Sequence, residues 1–163
     1  MASDQISMFG EAPPAPTAKE KPASFTITKT FQANAQKVFD QWLIPVFIGK
    51  WMFNKEIAGE KIVSLDNTVR KGGDYTFTVE KKGNPIRYSG EYLELKIPNH
   101  LVFSWVKDGR EDRRSQISLR FEEDGDKTKM KFAMKLDPAL NDQKESIKRI
   151  WNARCAALAE LLK

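Results

Sequence analysis

The sequence predicts an α+β domain: an antiparallel sheet of about six or seven strands, two short helices after the first strand, and a long C-terminal helix. Three observations carry this reading. Runs in which large apolar residues alternate with polar ones recur from Ser24 to Leu136, the period-two pattern of strands with one face buried and one in water. Glycine-bearing polar turns separate the runs, as antiparallel hairpins require. The last twenty residues change to three- and four-residue spacing, the period of an amphipathic helix.

Residues 1 to about 23, MASDQISMFGEAPPAPTAKEKPA, hold four of the eight prolines and few large apolar residues, so a disordered Pro-rich tail is expected ahead of a domain spanning 24–163. Ser24–Phe31 alternates, with Phe25, Ile27 and Phe31 inward. Asn34 is placed to cap a helix over Ala35–Trp42, and Pro45 opens a second over Val46–Trp51. Lys61–Asp66 reads as a short strand. Arg70–Trp105 then gives three consecutive strands. In the first of these Tyr75, Phe77 and Val79 alternate with Asp74, Thr76 and Thr78. After the turn Lys82-Gly83-Asn84, Ile86, Tyr88 and Tyr92 share one parity and Leu93 and Leu95 the other, which predicts a bulge between Gly90 and Leu93. Beyond Ile97-Pro98-Asn99-His100, Leu101, Phe103 and Trp105 form the third apolar row. Arg113–Glu122 and Lys127–Leu136 alternate again, the latter most regularly, with Met130, Phe132, Met134 and Leu136 opposed by Lys129, Lys131 and Lys135. From about Asp142 to Leu162, with Asn141 or Asp142 as cap, Ile147, Ile150, Trp151, Cys155, Leu158, Leu161 and Leu162 make one apolar stripe. That helix would be ~30 Å long, enough to cross a sheet.

Composition excludes several classes of function. With 163 residues, 40% hydrophobic and 30% charged, the chain suits one domain with a real core. No apolar run approaches the ~20 residues of a membrane span, and no basic segment followed by an apolar one opens the chain, so a cytoplasmic protein is expected. The net charge of +5 is spread over most strands without a recognition motif, which argues against nucleic acid as a partner. One cysteine and one histidine cannot build a disulfide or a cysteine zinc cluster. The acidic turn Glu122, Glu123, Asp124 and Asp126 lacks the ordered spacing of a calcium loop. No metal or cofactor is expected.

The order of elements resembles the helix-grip fold of the START-like (SRPBCC) superfamily. Several stretches narrow the resemblance: Thr30-Phe31 ahead of Ala33-Asn34-Ala35-Gln36-Lys37-Val38-Phe39-Asp40, then Trp51, Gly72-Gly73-Asp74-Tyr75-Thr76-Phe77, Tyr88-Ser89-Gly90-Glu91-Tyr92, and Ile97-Pro98-Asn99-His100-Leu101-Val102-Phe103-Ser104-Trp105. In this order they are similar to the family named after the activator of heat-shock-protein-90 ATPase, in its C-terminal-domain-like bacterial branch, over residues 25–162. The resemblance implies a curved sheet wrapped around the long helix, with a cavity between them for a lipid-like or polyketide-like molecule. It also raises a chaperone-accessory role in stress response as an alternative. The region before Phe25, however, is only a Pro-rich tail where the activators carry a separate chaperone-docking domain. Some relatives are cyclases, which makes a cyclase or hydrolase the third reading.

The candidate ligand-binding residues are Trp51, Phe53, Tyr75, Phe77, Tyr88, Phe103, Trp105, Phe132, Met134, Trp151 and Cys155, all on or near inward parities. The alternative is that these large side chains simply fill a core. For chemistry the candidates are Glu91 and Tyr88. Glu91 lies on the parity opposite Tyr88 and Tyr92, so it reads first as an outward strand charge and serves as a base only if turned inward. His100 sits in an exposed turn, and Cys155 on an apolar stripe reads as a structural thiol. A non-catalytic binding protein for an apolar or amphipathic small molecule is the leading expectation.

Overall fold

The structure, a computed structural model, describes residues 20–163. Seven strands form a single antiparallel sheet: β1 (Ser24–Phe31), β2 (Glu60–Asn67), β3 (Asp74–Lys81), β4 (Asn84–Lys96), β5 (His100–Lys107), β6 (Ser115–Asp124) and β7 (Lys127–Lys135). Their order is β1-β7-β6-β5-β4-β3-β2, so the first strand pairs with the last and β2 lies at the far edge. Three short helices, α1 (Ala35–Asp40), α2 (Pro45–Trp51) and α3 (Lys55–Ala58), carry the chain from one edge to the other. The closing helix α4 (Lys144–Leu161) follows a 3-10 turn at Pro138–Gln143 and packs along β1, α2 and α3.

The alternation read from sequence sets the faces. Phe25, Ile27 and Phe31, then Tyr75, Phe77 and Val79, then Met130, Phe132, Met134 and Leu136 are all buried, and the lysines between the β7 residues are exposed. All four tryptophans meet in one cluster. The Trp42 ring centroid is 4.6 Å from that of Trp51 and 6.2 Å from that of Trp151, which is itself 5.0 Å from Trp105 and 5.1 Å from Phe132.

Several local expectations are corrected. The hairpin turn is Lys82-Gly83, both with positive φ (52° and 81°), as a mirror-image turn demands, and Asn84 already belongs to β4. The bulge in β4 falls between Tyr92 and Glu94, at the C-terminal limit of the expected window and away from Gly90. Gly90 has another duty: a Cβ there would collide with the Ser104 carbonyl and the Tyr75 ring, so the missing side chain admits the neighbouring strand and phenol. The first helix ends at Asp40, short of Trp42. The third helix was not expected. The Asn54 side chain caps it by accepting from the Glu56 N–H, and Gly59 ends it with φ 69°.

At the C-terminal helix the expected caps are used elsewhere. Gln143 stands at the N-cap and makes no side-chain bond to the helix. Asn141 instead clasps the segment before β1, accepting from the Ala23 N–H (2.8 Å) and donating to the Glu20 carboxylate (2.9 Å) and the Lys21 carbonyl (2.8 Å). The expected tail lies largely outside the described residues; Glu20–Ala23, its last four, are held in this way. Glu123, from the acidic turn, accepts the Ala35 N–H at 2.8 Å and so satisfies a free donor at the start of α1. Leu161, placed on the apolar stripe, is 42% exposed, and the helix buries Arg154 at 3% exposure.

Candidate functional site

The interior between sheet and helix is filled at one end and open at the other. Toward the C-terminal end of α4, Cys155, Leu158 and Leu162 are buried in the packed core that also holds α1 and α2. Over the N-terminal half of α4 a cavity of about 480 Å³ remains. Its floor is Tyr88 of β4, Trp105 of β5, Ser115 of β6 and Met134 of β7, which the strand register brings side by side. Ile147, Ile150, Trp151 and Arg154 cover it from the helix, one to two turns apart on one face. Leu140 and Gln143 of the 3-10 turn close one side, and Lys107, Asp108, Arg110 and Arg113 stand at the loop between β5 and β6.

Of the eleven residues expected to bind a ligand, Tyr88, Trp105, Met134 and Trp151 line this cavity. The other seven are core. Trp51 donates its indole N–H to the Gln41 carbonyl (3.1 Å) and packs edge-on to Trp42. Phe53 stacks on Tyr88 and meets Phe77 edge-on. Tyr75 donates its hydroxyl to the Ser104 carbonyl (2.5 Å), and burial pushes its phenol well above the ordinary range. Phe103 packs on Tyr75 and Trp105, and Phe132 on Phe25 and Trp151. Cys155 is fully buried, and desolvation pushes its thiol up to about 12. Cys155 in the folded protein is therefore expected to resist a disulfide reagent at pH 8, where the unfolded chain reacts; rapid stoichiometric labelling of folded protein would contradict this placement.

Neither chemical candidate is set up as a base. Glu91 pairs in register with Asp74 on the row opposite Tyr88 and Tyr92, off the cavity wall, and its backbone N–H donates to the Ser104 hydroxyl (2.9 Å). Tyr88 does face the cavity, but its hydroxyl donates to the Glu60 carboxylate (2.5 Å). Burial first, and then that carboxylate, hold its phenol far above neutral pH, so it stays protonated. His100 stands opposite Arg120 and is absent from the cavity lining; partial burial, then Arg120, lower its pKa.

The polar centre is one the sequence reading did not name. Arg154 is 3% exposed and Glu60 3%. The guanidinium donates to the Met52 carbonyl (2.9 Å) and to Glu60 (3.2 Å), whose other oxygen receives the Tyr88 hydroxyl. It also lies 4.5 Å from the Trp151 ring centroid and within 6 Å of those of Phe53, Tyr88 and Trp105. A buried charge persists only when its partners are this complete. The signal was present in part: Arg154 is three residues after Trp151 and four after Ile150, on the apolar stripe itself. Its partner, ninety-four residues earlier at the start of β2, was not visible from the helix.

A curved antiparallel sheet gripping a long helix, with a cavity between them that has one apolar wall and one polar, defines a START-like helix-grip domain. The chain belongs to the family of Activator of Hsp90 ATPase homolog 1-like proteins, whose model matches residues 32–163. Solved structures share the fold at low identity. Protein CV1439 from Chromobacterium violaceum is 18% identical, with 85% of this chain and 96% of that one covered and a TM-score of 0.72. Protein Ms6760 from Mycobacterium smegmatis is 15% identical, covering 86% and 90%, with a TM-score of 0.71. CalU16 from Micromonospora echinospora is 22% identical, covering 87% and 75%, with a TM-score of 0.63. No curated protein is significantly similar to the chain.

Proposed function

We propose that this domain binds an apolar or amphipathic small molecule, lipid-like or polyketide-like, between the sheet and the N-terminal half of α4, without catalysing a reaction on it. The observation that carries the proposal is the cavity. Its size of about 480 Å³ falls within the range of small-molecule sites, and Tyr88, Trp105, Met134, Leu140, Ile147, Ile150 and Trp151 give it a continuous aromatic and aliphatic wall beside a polar and charged one. The packed core argues in the same direction: a domain able to bury Trp51, Phe53, Tyr75, Phe77, Phe103 and Phe132 against one another leaves this space open beside Met134 and Trp151. Family membership supports a ligand-binding role in general terms. A cytoplasmic site of action is part of the proposal, and among the described residues no helix is long and apolar enough to cross a membrane.

The test narrows the cavity. Met134 is 2% exposed on its wall, and Met134→Trp should weaken binding of the neutral fluorophore N-phenyl-1-naphthylamine at least about tenfold, provided the overpacked protein folds. Ile150→Trp, at a half-buried helix position on the opposite wall, gives an independent second variant. Undiminished binding in folded forms of both would overturn the proposal. A chaperone-accessory role predicts a different result: contacts at outward residues such as Lys129, Lys131 and Arg120, weakened by salt because exposed charges are screened beyond ~10 Å at 0.1 M.

A further inference from the structure

The cavity is apolar within but not at its rim. Lys107 ends β5, and Arg110 and Arg113 follow in the next turn, all lining the opening beside Asp108. Some of the charge is already answered. Arg110 is held by Asp112 through two bonds of 2.9 and 3.0 Å, and Arg154, deeper in, by Glu60. One Asp108 carboxylate oxygen accepts the Arg87 backbone N–H at 2.9 Å. Lys107 and Arg113 have no ion-pair partner among the described residues, so the opening keeps an excess of positive charge.

A second observation lies two residues beyond Arg113. Ser115 lines the same cavity, is 2% exposed, and its hydroxyl has no hydrogen-bond partner among the described residues. A buried hydroxyl left unpaired is costly, and an acceptor on a bound molecule would remove that cost. The donor and the free cations stand at one end of an otherwise apolar space. A cationic amphiphile would meet like charge there, and a plain hydrocarbon would leave the hydroxyl unanswered.

Building on the reading that the cavity holds a ligand, we infer that this ligand is an anionic amphiphile. Its carboxylate, sulfonate or phosphate oxygens sit among Lys107, Arg113 and Ser115, and its apolar body lies against Trp105, Met134 and Trp151. The charged head stays near water at the rim, where two partly exposed cations stabilise it without burying an uncompensated charge.

Two probes with the same aromatic body separate head from body: 8-anilino-1-naphthalenesulfonate and the neutral N-phenyl-1-naphthylamine. Full-length protein is titrated with each by fluorescence, and the Trp105 and Trp151 indole resonances report whether the probe is inside. The sulfonate should bind about tenfold tighter, equivalent to about 1.4 kcal/mol. That ratio should fall toward one in the Lys107→Gln/Arg113→Gln double variant, and should fall in part in Ser115→Ala. If both probes move the indoles with equal affinity, or if the double variant keeps the full preference, the inference is overturned while the cavity reading stands. If neither probe moves the indoles, both fail.

Discussion

Arg154→Met is expected to destabilise the domain by about 3–5 kcal/mol, the range for removing one member of a buried ion pair. The methionine fills much of the space and keeps contact with the rings of Phe53, Tyr88, Trp105 and Trp151. It leaves Glu60 buried with only the Tyr88 hydroxyl to satisfy it and orphans the Met52 carbonyl. Glu60→Gln reverses the fault, leaving the guanidinium without its carboxylate. Because both defects concern one interaction, the double variant should lose clearly less than the two single losses combined. Urea denaturation of the four proteins measures this cycle. Additive losses, or a loss below about 1 kcal/mol for Arg154→Met, would show that the pair does not join β2 to α4 as described.

Trp151→Ala carries the second large effect, about 3–5 kcal/mol, for deleting a fully buried indole. The ring is the joint between the filled and open halves of the interior. It touches Trp42 and Phe132 on the packed side, Trp105 and the Arg154 guanidinium toward the cavity, and itself lines that cavity. The variant should therefore lose stability and widen the site together. A chemical denaturation midpoint equal to that of the parent would mean that α4 does not lie where it is placed. Arg154 and Trp151 are in contact, so losses at the two positions should not add.

The strands and the closing helix were legible because burial on one side imposes a period, and a period survives in sequence. Lys127–Lys135 shows this best: every second residue meets either core or water, and nothing interrupts the alternation. Helix α3 was invisible for the opposite reason. Four residues cannot display a helical period, and a side-chain cap and a left-handed glycine give it its ends. The β4 irregularity lies at Leu93, the far end of the expected window, and Gly90, which had suggested it, serves instead a close approach by Ser104 and Tyr75.

The site was legible only as a face. Parity places Trp51, Phe103 and Phe132 inside as firmly as Trp105, Met134 and Trp151, but it says nothing of which side chains meet and which leave a gap. That depends on contacts between residues dozens of positions apart. Trp42 shows the point, since it fills the space between Trp51, Phe132 and Trp151 from the turn just after a helix that was expected to include it. The rim residues Lys107, Arg110 and Arg113 gave no sign of a shared opening, since the first two fall between the expected strands and Arg113 opens the alternating run Arg113–Glu122. Arg154 went unnamed because its carboxylate partner, Glu60, lies on another element. Ser115 carried no signal, since an unpaired hydroxyl is a property of its surroundings.

The most direct test of an interior filled at one end and open at the other is a chemical-shift map recorded while the protein is titrated with a panel of lipids and metabolites. A ligand held as described should move Tyr88, Trp105, Met134, Ile147 and Trp151 together, residues from three strands and the helix that meet at the cavity wall. Phe39, Phe121 and Leu158, buried in the packed half, should move least. Shifts confined to outward residues such as Lys129, Lys131 and Arg120 would contradict the account and assign the domain's function to its surface.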